Sequence, residues 1–100
     1  MQIKQGLIEK EGLELKYVEI TLKNTTLLLI EGYESFFMCG ALDVSVYKNR
    51  EVICGKALGV KTIDQLLNAK IFDLSEYAKT KGLESGMLVY EAFKKLSKEK

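Results

Sequence analysis

The feature that most constrains this chain is a change of hydrophobic period partway along it. Up to Gly32 the apolar residues recur at period two or in short unbroken runs, the spacing of β-strands. From Thr62 onward they recur three and four residues apart, the spacing of helices with one buried stripe. Strands first and helices last, with no regular strand–helix–strand repeat, is the pattern of an α+β fold. At 100 residues there is material for one domain (residues 1–100) and a single core without staples.

The strand region divides at its turns. Met1 to Glu11 interleaves Ile3 and Leu7 with Lys4 and Lys10, and Glu11-Gly12 supplies a turn. From Leu13 to Leu22 the apolar parity changes: Leu13, Leu15 and Tyr17 share one face, then Val18, Ile20 and Leu22 the other. That switch predicts a bulge or added twist near Tyr17–Val18. Asn24-Thr25 marks the next turn, and TTLLLIEG (25–32) is a continuous run of the kind expected for a strand covered on both faces. Three adjacent strands with short turns predict an antiparallel meander.

Beyond Gly32 the elements shorten. Phe36 to Cys39 reads as a buried strand stopped by Gly40, and Val52 to Val60 as another. Between them ALDVSVYKNRE (41–51) predicts a short helix, weakened by Val44-Ser45-Val46. Thr62-Ile63-Asp64-Gln65 is a capping box, in which the Thr62 side chain accepts from the Gln65 amide while the Gln65 side chain reaches back. Asp73 is expected to open a short helix carrying Leu74, Tyr77 and Ala78, closed by Gly82 as a C′ glycine. A last helix is predicted from Ser85 or Gly86, with Val89, Ala92, Phe93 and Leu96 on its buried face.

Composition narrows the function. The chain has no His, Pro or Trp, two Cys, and 15 basic against 14 acidic side chains. Without His the usual zinc sites and the Ser-His and Cys-His dyads are absent, so neither a metal nor a cofactor is expected. The near balance of charge argues against a nucleic-acid partner. No apolar run reaches the ~18 residues of a membrane span, and the first residues lack the apolar core of a signal peptide. A cytoplasmic protein with two free thiols is expected. Lys94, Lys95, Lys98 and Lys100 read as the solvated, dipole-favoured end of the last helix.

Two glycine corners could carry chemistry. If a helix begins near Gly40, Cys39 stands at its N-terminus, where unpaired amides would stabilise a thiolate, and Asp43 follows one turn later. The plainer reading is a buried cysteine in an apolar setting beside Phe37-Met38. The second corner, CGKALGVKT (54–62), evokes a phosphate-binding loop, but its spacing departs from G-x4-G-K-[ST] and Val60 stands where the second glycine belongs. What survives is a helix start at Thr62 beside Lys61, a candidate anion site against a plain capped helix. Asp43 and Asp64 would form an acid/base pair if the two helix starts faced each other.

GYESFFMCGALDV (32–44), CGKALGVKTIDQLLNAK (54–70) and GLESGMLVYEAFKKL (82–96) resemble the YunC-like family, small bacterial and archaeal domains of unknown function. The similarity runs from about residue 15 to Leu96. Its signature blocks fall on Cys39, Gly40, Ala41, Leu42 and Asp43, and on Gly55, Gly59, Val60, Thr62, Ile63, Asp64 and Gln65. The stretch from Val46 to Glu51 is shorter than the family's usual helical connection. The resemblance implies an α+β domain in which the meander extends to a mixed β-sheet with short helices packed against it and a C-terminal helix. It implies no established reaction.

Three functional readings follow. A shortage of catalytic side chains with 47% apolar residues points to a small self-associating binding or accessory module, a homo-oligomer and no enzyme. The first alternative is a small anionic ligand or substrate held by Gly40, Gly59, Lys61 and Thr62, with Cys39, Asp43 and Asp64 as candidate catalytic groups. The second is a redox sensor using Cys39 and Cys54, which requires their Cα atoms within ~7 Å.

Overall fold

A computed structural model describes residues 1–98, so Lys100 of the basic tail lies outside the described residues. Six strands form one sheet in sequence order: β1 (Gln2–Lys10), β2 (Leu13–Leu22), β3 (Thr25–Gly32), β4 (Ser35–Met38), β5 (Ile53–Lys56) and β6 (Asp73–Leu74). Every neighbouring pair is antiparallel except β4–β5, which is parallel, so the sheet is mixed. A 3-10 turn at Val44–Tyr47 lies in the β4–β5 crossover. Three helices follow: α1 (Ile63–Leu67), α2 (Glu76–Thr80) and α3 (Val89–Ser97). This is the expected α+β architecture.

The meander forms as the sequence predicts. Glu11 and Gly12 both adopt positive φ (50° and 86°), the conformation of the tight hairpin turn that matches strand twist. The expected bulge is absent. Pairing runs without interruption from Gln2↔Thr21 to Lys10↔Leu13 on one side of β2 and from Lys16↔Glu31 to Leu22↔Thr25 on the other. The parity switch at Tyr17–Val18 therefore reflects two apolar faces on one regular strand, not a local defect.

The inner face takes the helices. Leu13, Leu15, Leu28, Ile30 and Phe37 point inward and are buried with Leu66 of α1, Ala78 of α2, and Val89, Ala92 and Phe93 of α3. The Phe37 and Phe93 rings meet edge to face at 5.0 Å between centroids. Each such ring or Leu contributes roughly 1.5–3 kcal/mol of transfer free energy on burial. Gly55 is required by this packing, since a Cβ there would lie 2.9 Å from the Asp73 carbonyl oxygen and 3.0 Å from the Phe37 ring.

Several boundaries differ from expectation. The strand expected over Val52–Val60 stops at Lys56. Asp73 does not open a helix: Asp73–Leu74 pairs with Gly55–Lys56 as β6, and Ser75 is the N-cap of α2. The buried Ser75 hydroxyl donates to the Val52 carbonyl at 2.6 Å and accepts from the Cys54 and Ala78 amides, each at 3.2 Å. Gly82 does end α2 with φ +84°. The final helix starts at Val89, later than Ser85 or Gly86, because Gly86 has φ +98° and Glu91 reaches back to the Leu88 amide at 3.0 Å.

The outer face is covered only in part. Over β4 and β5, Leu42 and Val44 of the crossover bury Cys54, with Phe36, Met38, Tyr47 and Val52 packed around them. Over β1 to β3 the same face carries Ile3 and Leu7, then Val18, Ile20 and Leu22, then Leu27 and Leu29. Ile3 is 58% exposed and Leu7 69%, and Val18, Ile20 and Leu29 pack into neither core cluster. The run TTLLLIEG was expected to be covered on both faces. Within this chain it is covered on one.

Candidate functional site

The two glycine corners lie side by side. Parallel pairing of β4 with β5 brings their C-terminal ends together: the Ala57 amide donates to the Met38 carbonyl at 3.0 Å, and a Cβ on Gly40 would lie 3.1 Å from Leu58 Cδ2. Juxtaposition alone builds no site.

Cys39 is not at a helix start. The chain after it turns, with the Leu42 amide donating to the Cys39 carbonyl at 3.3 Å, and the 3-10 turn begins only after Asp43. Cys39 instead continues β4, its amide donating to the Leu28 carbonyl at 3.2 Å, and its side chain is buried in the main core. Its Sγ lies 4.0 Å from the Thr26 carbonyl oxygen. The helix-terminal amides that would have favoured a thiolate are not there.

Asp43 is the N-cap of the 3-10 turn. Its Oδ1 accepts from Ser45 Oγ at 2.6 Å and from the Ser45 amide at 3.0 Å. Those two hydrogen bonds, the side-chain one first, hold its carboxyl below the usual carboxylate range. Asp64 is the second residue of α1 and is exposed on the helix side. It borders a shallow depression of about 350 Å³ with Lys4, Tyr17 and Glu19. The 3-10 turn packs on the outer face and α1 on the inner one, so Asp43 and Asp64 do not form the expected pair.

The second corner is a capped helix start. Thr62 Oγ1 accepts from the Gln65 amide at 3.0 Å, as predicted, whereas Gln65 Oε1 accepts from the Lys61 amide at 2.8 Å, one residue earlier than a standard capping box. The Gln65 amide of the first turn and the Lys61 amide before it are thus occupied by the chain's own side chains. Gly59 adopts φ +73° to make the turn, and Gly40, Gly59, Lys61 and Thr62 are all exposed.

Cys54 belongs to the smaller outer cluster. Burial pushes its thiol upward, against the hydrogen-bonding influence of Ser75. Phe36 is paired with Cys54, so Cys39 lies three residues further along, about 10 Å at ~3.3 Å per residue. That exceeds the ~7 Å a disulfide tolerates. Among the described residues no group of three or more His, Cys, Asp or Glu could hold a metal ion.

What individual residues could not signal is the open apolar face. Its only sequence trace is the doubled parity of β2 and the unbroken run in β3.

Fold and site together define a small α+β protein with a mixed six-stranded sheet, helices on its inner face and a half-covered outer one. The solved structure of a protein of unknown function, TA1206 from Thermoplasma acidophilum, shares this fold with TM-score 0.86 and 29% identity, over 95% of this chain and 93% of that one. The family model described as a domain of unknown function (DUF1805) matches residues 38–96. The uncharacterized protein YunC of Bacillus subtilis (strain 168) is 36% identical over 92 residues, 88% of this chain and 91% of the relative. The chain belongs to this YunC-like DUF1805 family, whose function is unknown. The matched segment begins at Met38 and ends at Leu96, so it holds both glycine corners, α1, α2 and all but the last residue of α3, but not β1 to β3 and only the end of β4.

Proposed function

We propose that this chain is a non-catalytic, self-associating accessory module whose working surface is the open outer face of β1 to β3. The observation that carries this reading is the apolar strip on this face, where Ile3 and Leu7 are exposed and the half-buried Val18, Ile20 and Leu29 join neither core. Apolar side chains left side by side and uncovered on one sheet face are characteristic of an interface. The candidate catalytic groups support it by their dispersal, with Cys39 buried, Asp43 committed to a cap and Asp64 on the opposite side of the sheet. A cytoplasmic setting fits two thiols that are not joined to each other. No helix among the described residues is long and apolar enough to cross a membrane.

The test is size-exclusion chromatography with light scattering at micromolar concentration. The wild type is expected to run above monomer mass and Ile20→Glu at monomer mass. A wild-type monomer throughout that range would remove the reading. The anionic-ligand reading, resting on Lys61 and Thr62, has less support because α1 spans only five residues and the Lys61 and Gln65 amides are already occupied by side chains of the chain. The redox reading has less still, given the strand offset between Cys39 and Cys54.

A further inference from the structure

The open face has ends of different charge, and that asymmetry selects how a second copy can sit on it. At one end Glu9 stands directly opposite Glu14, and Lys16 opposite Glu31. All four side chains share the outer face, by the alternation that places Leu7 and Val18 there. Like charges directly opposite each other weaken a strand pair unless a cation offsets them. The other end closes with Ile3↔Ile20 and Leu22↔Thr25, and the turn beyond it carries Lys23. Between the two ends Val18, Ile20, Leu27 and Leu29 form an uncharged block.

We propose that a second copy of this chain docks face to face on this surface with its strands antiparallel to the first's, each copy's Glu9–Glu14 end lying over the other's Lys23 end. The proposal rests on the self-association argued above and adds its geometry. Sheets pack face to face with their strand directions within about 30° of parallel or antiparallel alignment, and a twofold axis supports either arrangement. A twofold along the strands would stack Glu9, Glu14 and Glu31 of one copy on the same residues of the other. A twofold across the strands sets them against Lys23 and neutral Thr25 instead.

Three strands at ~4.8 Å and about seven residues at ~3.3 Å give a patch of roughly 14 by 23 Å. Two such patches give roughly 640 Å² in projection, and interdigitating side chains with the charged ends bring the buried area toward the ~1,000 Å² lower bound for a specific interface. The occupant must be apolar at its centre and oppositely charged at its ends. A twofold copy of the same face meets both requirements.

The experiment is sedimentation equilibrium at low salt on the full chain, comparing wild type, Ile20→Glu, Glu14→Lys, Lys23→Glu and the double charge swap. Circular dichroism melts establish that each variant folds. Ile20→Glu is expected to raise the dimer dissociation constant at least about a hundredfold, because it buries an unpaired carboxylate. Glu14→Lys and Lys23→Glu are each expected to weaken the dimer about tenfold, and the double swap to restore it. Tighter association by Glu14→Lys alone would show stacked acidic ends and overturn the antiparallel arrangement. A dimer indifferent to Ile20→Glu would move the interface off this face while leaving self-association standing. A wild-type monomer would overturn both proposals.

Discussion

Over β4 and β5 the sheet's outer face is roofed by the crossover, where Leu42 and Val44 seal Cys54, whereas over β1 to β3 the same face leaves Ile3, Leu7 and Leu22 exposed and Val18, Ile20 and Leu29 outside both core clusters. The difference follows from how the strands are joined. Parallel strands cannot be linked by a tight turn, so the chain between β4 and β5 must cross a face of the sheet, and in crossing it covers that face. The antiparallel β1, β2 and β3 are joined by two-residue turns at Glu11-Gly12 and Lys23-Asn24, which leave no chain to cover anything. A sequence that places apolar residues on both faces of such a meander needs material from elsewhere.

The sharpest way to break this contrast lies within β3 itself. Leu28 and Leu29 are adjacent, one fully buried beneath the helices and the other on the open face. Leu28→Ala is expected to cost about 2–5 kcal/mol in urea denaturation. Leu29→Ala, measured at concentrations too low for association, should cost under about 1 kcal/mol. Equal losses would mean that the outer face is packed in the isolated chain.

Weakening the roof should have an intermediate effect. Leu42→Ala removes one of its two buried leucine and valine anchors and is expected to cost about 2 kcal/mol, at the low end for a buried leucine. The same change should speed alkylation of Cys54, a thiol that burial otherwise keeps protonated and inert. Unchanged labelling kinetics would show that the roof does not protect it. Ser75→Ala should cost about 1–3 kcal/mol, because the Cys54 and Ala78 amides lose their shared acceptor inside the fold.

The smallest effect concerns the cap that starts the roof's 3-10 turn. The Ser45 hydroxyl and amide favour ionised Asp43, so its folded pKa lies below the unfolded value of about 3.9. The folded state therefore binds fewer protons here than the unfolded one. The stabilisation is present above the unfolded value and is lost as pH falls through the folded value. Carboxyl NMR titration of Ser45→Ala should move the Asp43 midpoint upward toward the ordinary range. An unmoved midpoint would assign the lowering to the Ser45 amide, which alanine keeps, and to Lys56.

Much of this architecture was legible because its signals are local. The turns at Glu11-Gly12 and Gly82, the Thr62 cap and the Val89-Ala92-Phe93-Leu96 stripe each depend on a few consecutive residues, and each lies where the sequence places it. What was misread depends on distant partners. Asp73 and Leu74 are a strand only because Gly55 and Lys56 lie beside them. Cys39 remains extended because Leu28 offers it a carbonyl, so no helix starts at Gly40. The candidate site suffered most, since its premise was two helix starts facing each other and the crossover puts them on opposite faces. The doubled apolar parity at Tyr17–Val18 was visible, but its meaning depended on knowing which face the chain covers.

Sedimentation equilibrium of the wild-type chain across the micromolar range tests the central claim most directly. The account predicts a concentration-dependent approach to twice the 11.3 kDa chain mass. A constant mass of one chain at every concentration would contradict it.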